Sequence, residues 1–452
     1  MLKTFKIGGI HPEENKLSAA SPIQVLPVPA EVKIPLAQHI GAPAQPCVEV
    51  GAKVKVGTLI AKAGGFVSAN VHSSVSGTVK KIEEFVDANG MKKMAIVITV
   101  EGDEWEESID RSTDIVRDIK LEPKEIIAKV SEMGLVGMGG ATFPTHVKLA
   151  VPDGQKCEAL VINGVECEPY LTSDHRAMLE RPEEVLMGVK ILMKALQIDK
   201  AYIGIENNKP DAIAKLTELA KNYPGVTVQP LKLKYPQGGE KQLIDACMDR
   251  QVPSGKLPIN VGAVVQNVGT ALAVYEAVQK NKPLIERIVC VTGKPLAKPS
   301  NFLVRIGTPV SACIEAAGGV PEDCGKVIGG GPMMGRAMMH TDVPVIKGTS
   351  GILLMNKKES KRPEMANCIR CAKCVSVCPM GLEPYLLSKL SAKGMWDEAQ
   401  EHNIMDCIEC GSCNFTCPSN RPLLDYVRLG KGKVGAILRA KAAAAKAAAE
   451  KK

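Results

Sequence analysis

Two cysteine runs stand close together late in the chain: Cys368-Ile-Arg-Cys371-Ala-Lys-Cys374-Val-Ser-Val-Cys378-Pro379 and Cys407-Ile-Glu-Cys410-Gly-Ser-Cys413-Asn-Phe-Thr-Cys417-Pro418. Each has the C-x2-C-x2-C-x3-C-P spacing of a [4Fe-4S] site, because three thiolates in one tight loop can bind three irons of a cube. Paired C-x2-C steps also suit tetrahedral zinc, but zinc leaves the x3-C-P ending without a purpose. The runs therefore predict an electron-carrying unit with two clusters.

The fourth ligand of each cluster is not local. The runs resemble those of two-cluster ferredoxins, in which the fourth cysteine of each run serves the other cluster. That resemblance implies one cluster on Cys368, Cys371, Cys374 and Cys417, and a second on Cys407, Cys410, Cys413 and Cys378. Residues 383–402, between the runs, have a helical pattern. We therefore expect a helical two-cluster, ferredoxin-like domain over residues 359–429.

Length and composition indicate a multidomain protein of a reducing compartment. The chain has 452 residues, 45% of them apolar, which is enough for several domains with cores of their own. Eight of the 15 cysteines belong to the two runs, and we expect the other seven to be buried thiols rather than disulfides. The first residues lack the features of a signal peptide, and no apolar run reaches 18 residues, so we expect no membrane span.

The net charge of +8 does not indicate a nucleic-acid-binding protein. From residue 430 onward, seven basic residues and one acidic residue account for +6 of that charge. The rest of the chain is almost neutral, and aromatic residues make up only 3% of it, which leaves little surface for base stacking. We expect no nucleic-acid partner, and we expect residues 430–452 to form a basic Ala/Lys tail that no core holds.

Residues 1–110 are predicted to form a small β-barrel. Short apolar runs punctuated by glycine, such as Val48-Glu-Val-Gly51-Ala-Lys-Val-Lys-Val-Gly57, are typical of sandwiched strands. The pattern resembles the barrel-sandwich hybrid of lipoyl and biotinyl domains. Those carriers display a modifiable lysine at a hairpin tip, whereas the corresponding residues 64–71 contain none. A structural or docking role is therefore expected rather than a swinging arm.

The second informative stretch is a glycine loop, Gly137-Met-Gly139-Gly140-Ala-Thr-Phe143-Pro-Thr-His-Val-Lys148. Glycines at this density allow the backbone to approach a ligand closely, and a helix that follows would point amides at an anion. Lys148 adds a positive charge. Taken alone, the loop is either such a site or a simple glycine turn.

The loop and three later blocks resemble, in the same order, the NADH-binding flavoprotein subunit of respiratory complex I. The later blocks are Asn163-Gly-Val-Glu166-Cys-Glu168-Pro169, Gly238-Gly-Glu240-Lys-Gln-Leu and Val265-Gln266-Asn267-Val268. Val165 and Gly239 stand where that family has acidic residues. The resemblance implies an α/β domain over residues 111–287 that binds FMN non-covalently and takes NAD(H) as substrate.

The same resemblance implies roles for individual residues, with the hydride chemistry carried by the flavin rather than by a catalytic side chain. Gly137, Gly139, Gly140 and Lys148 would hold FMN, and Asn163, Glu166 and Asn267 would bond its ring or ribityl chain. Phe143 would stack on the adenine of NADH, while Glu168 and Glu240 would border the nicotinamide.

Residues 288–358 resemble the β-grasp (SLBB-like) domain that follows the flavin fold in the complex I subunit. The pattern is one of short strands and one helix from about residue 310. Gly329, Gly330 and Gly331 are not accompanied by a strand, a helix and a lysine in the order of a phosphate loop, so a plain turn is expected there.

The order of barrel, flavin fold, β-grasp and two clusters resembles the C-subunit family of Rnf (Rsx) ion-translocating ferredoxin:NAD oxidoreductase complexes. The opening Phe5-Lys-Ile-Gly-Gly-Ile-His-Pro12 resembles that family's start. Membership implies a translocase subunit on the cytoplasmic side of the cell membrane, peripheral, with integral membrane and redox subunits as partners. Two alternatives stay open at this point: an NADH-linked flavoprotein subunit of a soluble hydrogenase or formate dehydrogenase, and a non-catalytic iron-sulfur wiring scaffold.

Overall fold

The computed structural model describes residues 2–449, which fold into four successive units of mixed α/β and α+β structure. The strands before residue 101 are β1 (Ile23–Val25), β2 (Glu31–Pro35), β3 (Gln45–Pro46), β4 (Lys53–Val54), β5 (Leu59–Lys62), β6 (Val71–His72), β7 (Gly77–Val86) and β8 (Lys92–Val100). Seven of these form the barrel, as two sheets with the orders β2-β8-β7-β4 and β3-β5-β6. Alternate residues such as Val32, Ile34, Ile96 and Ile98 are buried between the sheets.

The second unit is a three-layer α/β domain. Its elements are α1 (Pro123–Glu132), α2 (Thr145–Leu149), β9 (Ala159–Asn163), α3 (Ser173–Glu180), α4 (Pro182–Leu196), β10 (Ala201–Glu206), α5 (Pro210–Ala220), β11 (Val226–Leu231), α6 (Glu240–Met248), β12 (Ala263–Asn267) and α7 (Val268–Gln279), with a 3-10 turn at Pro258–Val261. The sheet is parallel in the order β11-β10-β9-β12. Helices cover both faces, which explains why β9 and β12 are almost continuously apolar.

The third unit is the β-grasp domain. It contains β13 (Glu286–Thr292), β14 (Ser300–Arg305), α8 (Val310–Ala316), β15 (Cys324–Gly329), β16 (Arg336–Ala337), β17 (Gly351–Asn356) and α9 (Lys357–Ser360). The sheet order is β1-β14-β13-β17-β15-β16. Val310, Cys313 and Ile314 of α8 pack on this sheet and close its core.

The N-terminal segment lies outside the two barrel sheets, although it falls within the predicted 1–110 unit. Lys3 and Ile10 form isolated bridges with Leu231 and Tyr235 of the α/β domain. Farther along, β1 pairs in parallel with β14 and becomes an edge strand of the β-grasp sheet. A strand only three residues long has no pattern that assigns it to a distant sheet. Residues 2–26 therefore form a strap over two later units.

The fourth unit is helical. Its elements are α10 (Lys373–Ser376), α11 (Pro384–Ala392), α12 (Trp396–Glu401), α13 (Ser412–Phe415) and α14 (Leu423–Ala449), with a 3-10 turn at Ile404–Asp406. Leu387, Leu390, Ala399 and Ile404 form its core with Val427 of α14. Among residues 2–449, no helix is both long and apolar enough to span a bilayer.

The prediction that residues 430–452 form a tail outside any core is wrong for residues 430–438. Helix α14 runs without a break to Ala449, since Ala and Lys are strong helix formers. Val434 is buried in the helical core, and Leu438 packs against it. At the crossing of α14 and α11, a Cβ on Gly430 would lie 2.0 Å from Ser391 Oγ, so the glycine allows the helices to approach. Residues 450–452 of the predicted tail lie outside the described residues.

Replacing Val434 should destabilise the helical unit. Val434→Ala deletes buried methyl groups and should cost about 2 kcal/mol of unfolding free energy. Lys441→Ala, on the exposed part of the same helix, should change it by less than about 0.5 kcal/mol. Both effects can be measured as shifts in the urea midpoint at which the cluster absorbance is lost. Equal midpoints for the two variants would contradict the packing of α14.

Candidate functional site

The two cysteine loops have the same backbone conformation. Arg370 and Ala372 in the first loop have φ of +58° each, and the corresponding Glu409 and Gly411 have φ of +57° and +77°. Each loop then enters a single helical turn, α10 or α13. Left-handed residues at two matched positions curl both loops in the same way. The sequence repeat is therefore also a structural repeat.

One group of four cysteines lines a common pocket. Cys378 of the first run faces this pocket with Cys407, Cys410 and Cys413 of the second, which is the combination predicted for the second cluster. Burial, followed by the neighbouring thiolates, raises the pKa of Cys407 to about 11 and that of Cys413 further. Thiolates held in such a place need a cationic partner, and iron supplies one.

The pocket also provides hydrogen bonds to sulfur. The amide of Leu382 donates to Cys378 Sγ and the amide of Glu409 donates to Cys407 Sγ, both at 3.4 Å. Amide donors of this kind stabilise and tune cluster thiolates. The donor set and its surroundings therefore fit an iron-sulfur cluster.

The other group of cysteines is nearer to solvent. Cys368 and Cys371 are exposed, while Cys374 and Cys417 are half-buried. Burial, and then the charge of nearby Cys417, raises the pKa of Cys374, so the thiol of Cys374 lies near the last cysteine of the second run. The structure thus brings together members of both runs at each predicted cluster.

The buried cluster pocket lies directly against the α/β domain. Tyr235 Oη donates to the carbonyl of Cys410 at 2.8 Å, and Gln242 Nε2 donates to the carbonyl of Pro379 at 3.2 Å. The strap closes the same junction: the Gly9 amide donates to Val377 O at 2.9 Å. A Cβ on Gly8 would lie 2.5 Å from the carbonyl oxygen of Cys378.

The predicted flavin residues converge at the point where the strand order of the α/β sheet reverses. Strands β9 and β12 are neighbours in space, but the chain runs through β10 and β11 on the other side before it returns to β12. The carboxyl ends of two such strands border the crevice in which parallel sheets bind ligands. Asn163 and Asn267, the last residues of these strands, are direct partners in the ladder.

The glycine loop lies over this crevice. A Cβ on Gly139 would lie 3.1 Å from the Cβ of Asn267, whereas one on Gly140, where φ is +144°, would meet nothing within 4 Å. The Gly137 amide donates to the carbonyl of Phe143 at 2.8 Å and closes the loop, and the Phe143 side chain is half-buried. The loop therefore packs closely on the sheet on one side and is open on the other, as a flavin cradle requires.

Lys148 lies beside the same crevice in an ion pair. Its Nζ donates to Glu240 Oε1 at 2.7 Å and to the carbonyl of Val265 at 3.1 Å. The structure therefore joins a predicted phosphate ligand to a residue predicted to border the nicotinamide.

Glu166 holds helix α3 in place. Its carboxylate accepts the amides of Asp174 at 2.8 Å and His175 at 3.1 Å, at the positive end of the helix. Asp174 in turn accepts Asn267 Nδ2 at 2.6 Å. Burial, and then the charge of Glu166, raises the pKa of Asp174 to about 7. Sequence reasoning missed Asp174, because its contact with Asn267 joins residues distant in the chain.

Glu168 contacts the β-grasp domain. Its carboxylate accepts the amides of Met333 at 3.1 Å and Met334 at 2.7 Å, in the glycine-rich turn after β15. Burial raises the pKa of Glu168 to about 7. The turn predicted at Gly329 to Gly331 is present, and it leads into a pair of amides that bind a carboxylate. Glu168 therefore joins the β-grasp domain to the α/β domain.

A buried lysine joins three units at the base of the glycine loop. Lys347 Nζ donates to the carbonyls of Asn70 in the barrel at 2.6 Å and Gly134 at 2.7 Å. Burial lowers the pKa of Lys347 to about 7. Sequence reasoning missed this residue, since an isolated lysine in a loop has the pattern of a solvated side chain.

Four family models match the chain in the order of its four units. They are the RnfC barrel sandwich hybrid domain over residues 3–103, the Nuo51 FMN-binding domain over 130–276, the SLBB domain over 288–337 and the 4Fe-4S dicluster domain over 361–418.

Relatives match almost the whole chain. The C subunit of the proton-translocating ferredoxin:NAD(+) oxidoreductase complex of Clostridium ljungdahlii is 48% identical, covering 95% of this chain and 93% of that protein. The chain belongs to this C-subunit family. The Na(+)-translocating counterpart from Acetobacterium woodii is 46% identical, covering 95% of this chain and 97% of that protein. The C subunit of the ion-translocating oxidoreductase complex of Rhodobacter capsulatus is 42% identical, with coverages of 96% and 84%.

The four family models confirm the predicted fold class and the predicted FMN and iron-sulfur cofactors, while the individual ligands stay predictions. A chain of an NAD+-reducing [NiFe]-hydrogenase is 20% identical, covers 63% of this chain and 54% of that chain, and has a TM-score of 0.47. That likeness is too low to carry an argument.

Removing Cys378 should affect the cluster of the second run. Cys378→Ala should lose about half of the bound iron, as should Cys371→Ala, because each deletes one ligand of one cube. The two variants should therefore retain different clusters. Iron analysis and electron paramagnetic resonance can distinguish them. Loss of the same signal in both variants would contradict the cross-run pairing.

Replacing Glu168 should change how stability depends on pH. The pKa of Glu168 rises from 4.5 to about 7 on folding, so its stabilising contribution is complete below about pH 4.5 and is lost as the pH rises to about 7. Glu168→Gln should remove up to about 3 kcal/mol of that variation. Melting temperatures of both proteins across this range test the effect, with the exposed Glu364→Gln as control. Parallel pH profiles for Glu168→Gln and wild type would exclude the shifted titration.

Proposed function

We propose that this chain is the C subunit of an ion-translocating ferredoxin:NAD(+) oxidoreductase complex, where it exchanges electrons between NAD(H), FMN and two [4Fe-4S] clusters. One observation carries the proposal: the pocket of Cys378, Cys407, Cys410 and Cys413 lies against the domain that contains the glycine loop, with Tyr235 bonded to Cys410. A flavin site and a cluster site on the two sides of one domain junction form a path for electrons.

The chemistry that FMN would supply here is the exchange between two-electron hydride transfer with NADH and one-electron transfer with each cluster. The residues of the chain hold and orient it. The glycine loop of Gly137, Gly139 and Gly140 would receive the flavin on its open side, and Lys148 would neutralise its phosphate. Asn163 and Asn267 lie beside the same crevice and supply amide groups for its ring or ribityl chain.

The acidic residues would support this site in different ways. Glu166 would position α3, and through it Asp174 and Asn267, because its carboxylate is bonded to the helix amides. Glu240 would orient Lys148 through their 2.7 Å contact. Phe143 would stack on the adenine of NADH, and Glu168 would fix the β-grasp turn near the buried cluster rather than border the nicotinamide.

The two clusters would act in sequence. The pocket that contains Cys378 is next to the flavin domain, whereas Cys368 and Cys371 of the other group are exposed. Electrons would pass between flavin and buried cluster, and then between exposed cluster and a redox subunit of the complex. The protein would be peripheral, held by integral membrane and redox partners, and it would face the cytoplasm because NAD(H) is supplied there.

The test uses the full chain, purified anaerobically and loaded with FMN. NADH should bleach the flavin absorbance and then reduce the clusters. Lys148→Met should weaken FMN binding about tenfold or more, because it removes a charge-assisted contact to phosphate. Lys156→Met replaces an exposed lysine outside the crevice and serves as control.

A wild-type protein that binds FMN but is not bleached by NADH would contradict the NAD(H) activity and favour a wiring scaffold. Unchanged FMN affinity in Lys148→Met, measured by flavin fluorescence, would contradict the phosphate assignment.

A further inference from the structure

The hairpin between β5 and β6 extends from the barrel to the glycine-loop side of the α/β domain. Its tip carries Phe66, whose side chain is 70% exposed. His146 of α2 donates from Nε2 to the Phe66 carbonyl at 3.2 Å, and the two rings meet edge to face at 6.2 Å. Since α2 directly follows the glycine loop, the Phe66 ring stands at the entrance to the proposed flavin site.

The tip is held firmly. Ser68 Oγ accepts the amide of Gly64 at 2.9 Å and donates to the carbonyl of Ala42 at 2.8 Å. The amide of Ala69 donates to His39 Nε2 at 3.0 Å. A Cβ on Gly41 would lie only 1.9 Å from the carbonyl oxygen of Val67, so the two loops of the barrel are in direct contact. The exposure of Phe66 is therefore a property of an ordered loop.

A second contact joins the barrel to the glycine loop itself. The amide of Ile40 donates to the carbonyl of Thr142 at 3.4 Å. Thr142 has φ of +51°, a conformation that is unfavourable for a β-branched residue and that persists only where neighbours hold it. The side chain of Ile40 is 50% exposed. The barrel thus places two exposed apolar side chains next to this region, Ile40 beside Thr142 and Phe66 beside His146.

We propose that the barrel completes the nucleotide site, with the ring of Phe66 stacking on the face of the NAD(H) adenine that Phe143 leaves open. The inference rests on the proposed function, which places the nicotinamide at the flavin over Asn163 and Asn267. The other end of the dinucleotide must then lie toward the rim of the glycine loop, where Phe66 stands. An aromatic ring on a rigid loop suits a flat base. Stacking buries the facing surfaces of the ring and of the base, and it needs no rearrangement of the protein.

Stacking on adenine also gives the barrel a role in recognition. A hairpin tip at the same place carries the modified lysine in the lipoyl and biotinyl carriers that the barrel resembles, and residues 64–71 contain no lysine. In this chain, the tip would select for the adenosine half of NAD(H), while the α/β domain would bind the reacting nicotinamide half.

The experiment compares Phe66→Ala with wild type in the full chain loaded with FMN and both clusters. ADP-ribose contains the adenine but no nicotinamide, so calorimetric titration with it measures binding without a reaction. Phe66→Ala should weaken ADP-ribose about tenfold, the effect expected when one base loses an aromatic partner. Phe66→Tyr retains a ring and should restore the affinity.

Two substrates give a second measurement. The KM for NADH should rise in Phe66→Ala, whereas the rate of flavin bleaching by reduced nicotinamide mononucleotide, which lacks the adenosine, should stay unchanged. Val50→Ala removes an exposed apolar side chain elsewhere on the barrel and should leave both substrates unaffected. Flavin content and melting temperature of Phe66→Ala should equal those of wild type, because the ring is exposed.

The outcomes separate this inference from the proposed function. If wild type binds ADP-ribose and is bleached by NADH, but Phe66→Ala has the same ADP-ribose affinity, the stacking role is wrong and the proposed function stands. If Phe66→Ala keeps that affinity and loses co-purification of the membrane subunits, the tip is a docking surface instead. If wild-type flavin is not bleached by NADH and the protein does not bind ADP-ribose, both proposals fail.

Discussion

Cysteines of both runs face one buried pocket, and the arrangement of the chain depends on this contact. Cys378 must leave its own run to face Cys407, Cys410 and Cys413, so the two loops are drawn against each other. That pocket is then fixed to the α/β domain by Tyr235 and Gln242 and covered by Gly8 and Gly9 of the strap. The two cysteine loops therefore lie against each other and against the α/β domain.

A second set of contacts keeps the glycine loop in one conformation. Lys347 is buried, and its amine donates to carbonyls of the barrel and of Gly134, at the start of the loop. Thr142, at the other end, is held in a left-handed conformation between Ile40 and Gly348. Burying an amine in this way is costly, which the lowered pKa of Lys347 reflects. The loop is thus ordered by its neighbours, which lowers the entropic cost of ligand binding.

Two parts of the chain differ from the sequence-based expectation for identifiable reasons. The Ala- and Lys-rich segment after residue 430 has a composition typical of a solvated tail, yet a single buried Val434 and the Gly430 crossing attach it to the helical core. Residues 2–26 are continuous with the barrel in sequence but pair with strands of later units. In both cases long-range contacts override local composition, and a single sequence carries no record of such contacts.

The sequence by itself determined the chemistry of the chain. Cluster ligands must lie at fixed spacings in one loop, and a flavin cradle needs consecutive glycines, so both appear as local patterns. Tertiary structure alone decided which of these residues work together. Glu168 was bonded to the β-grasp turn, Asp174 was brought to Asn267, and Phe66 was carried from the barrel to the start of α2. Such contacts join residues that are far apart in sequence, and only the packing of the four units creates them.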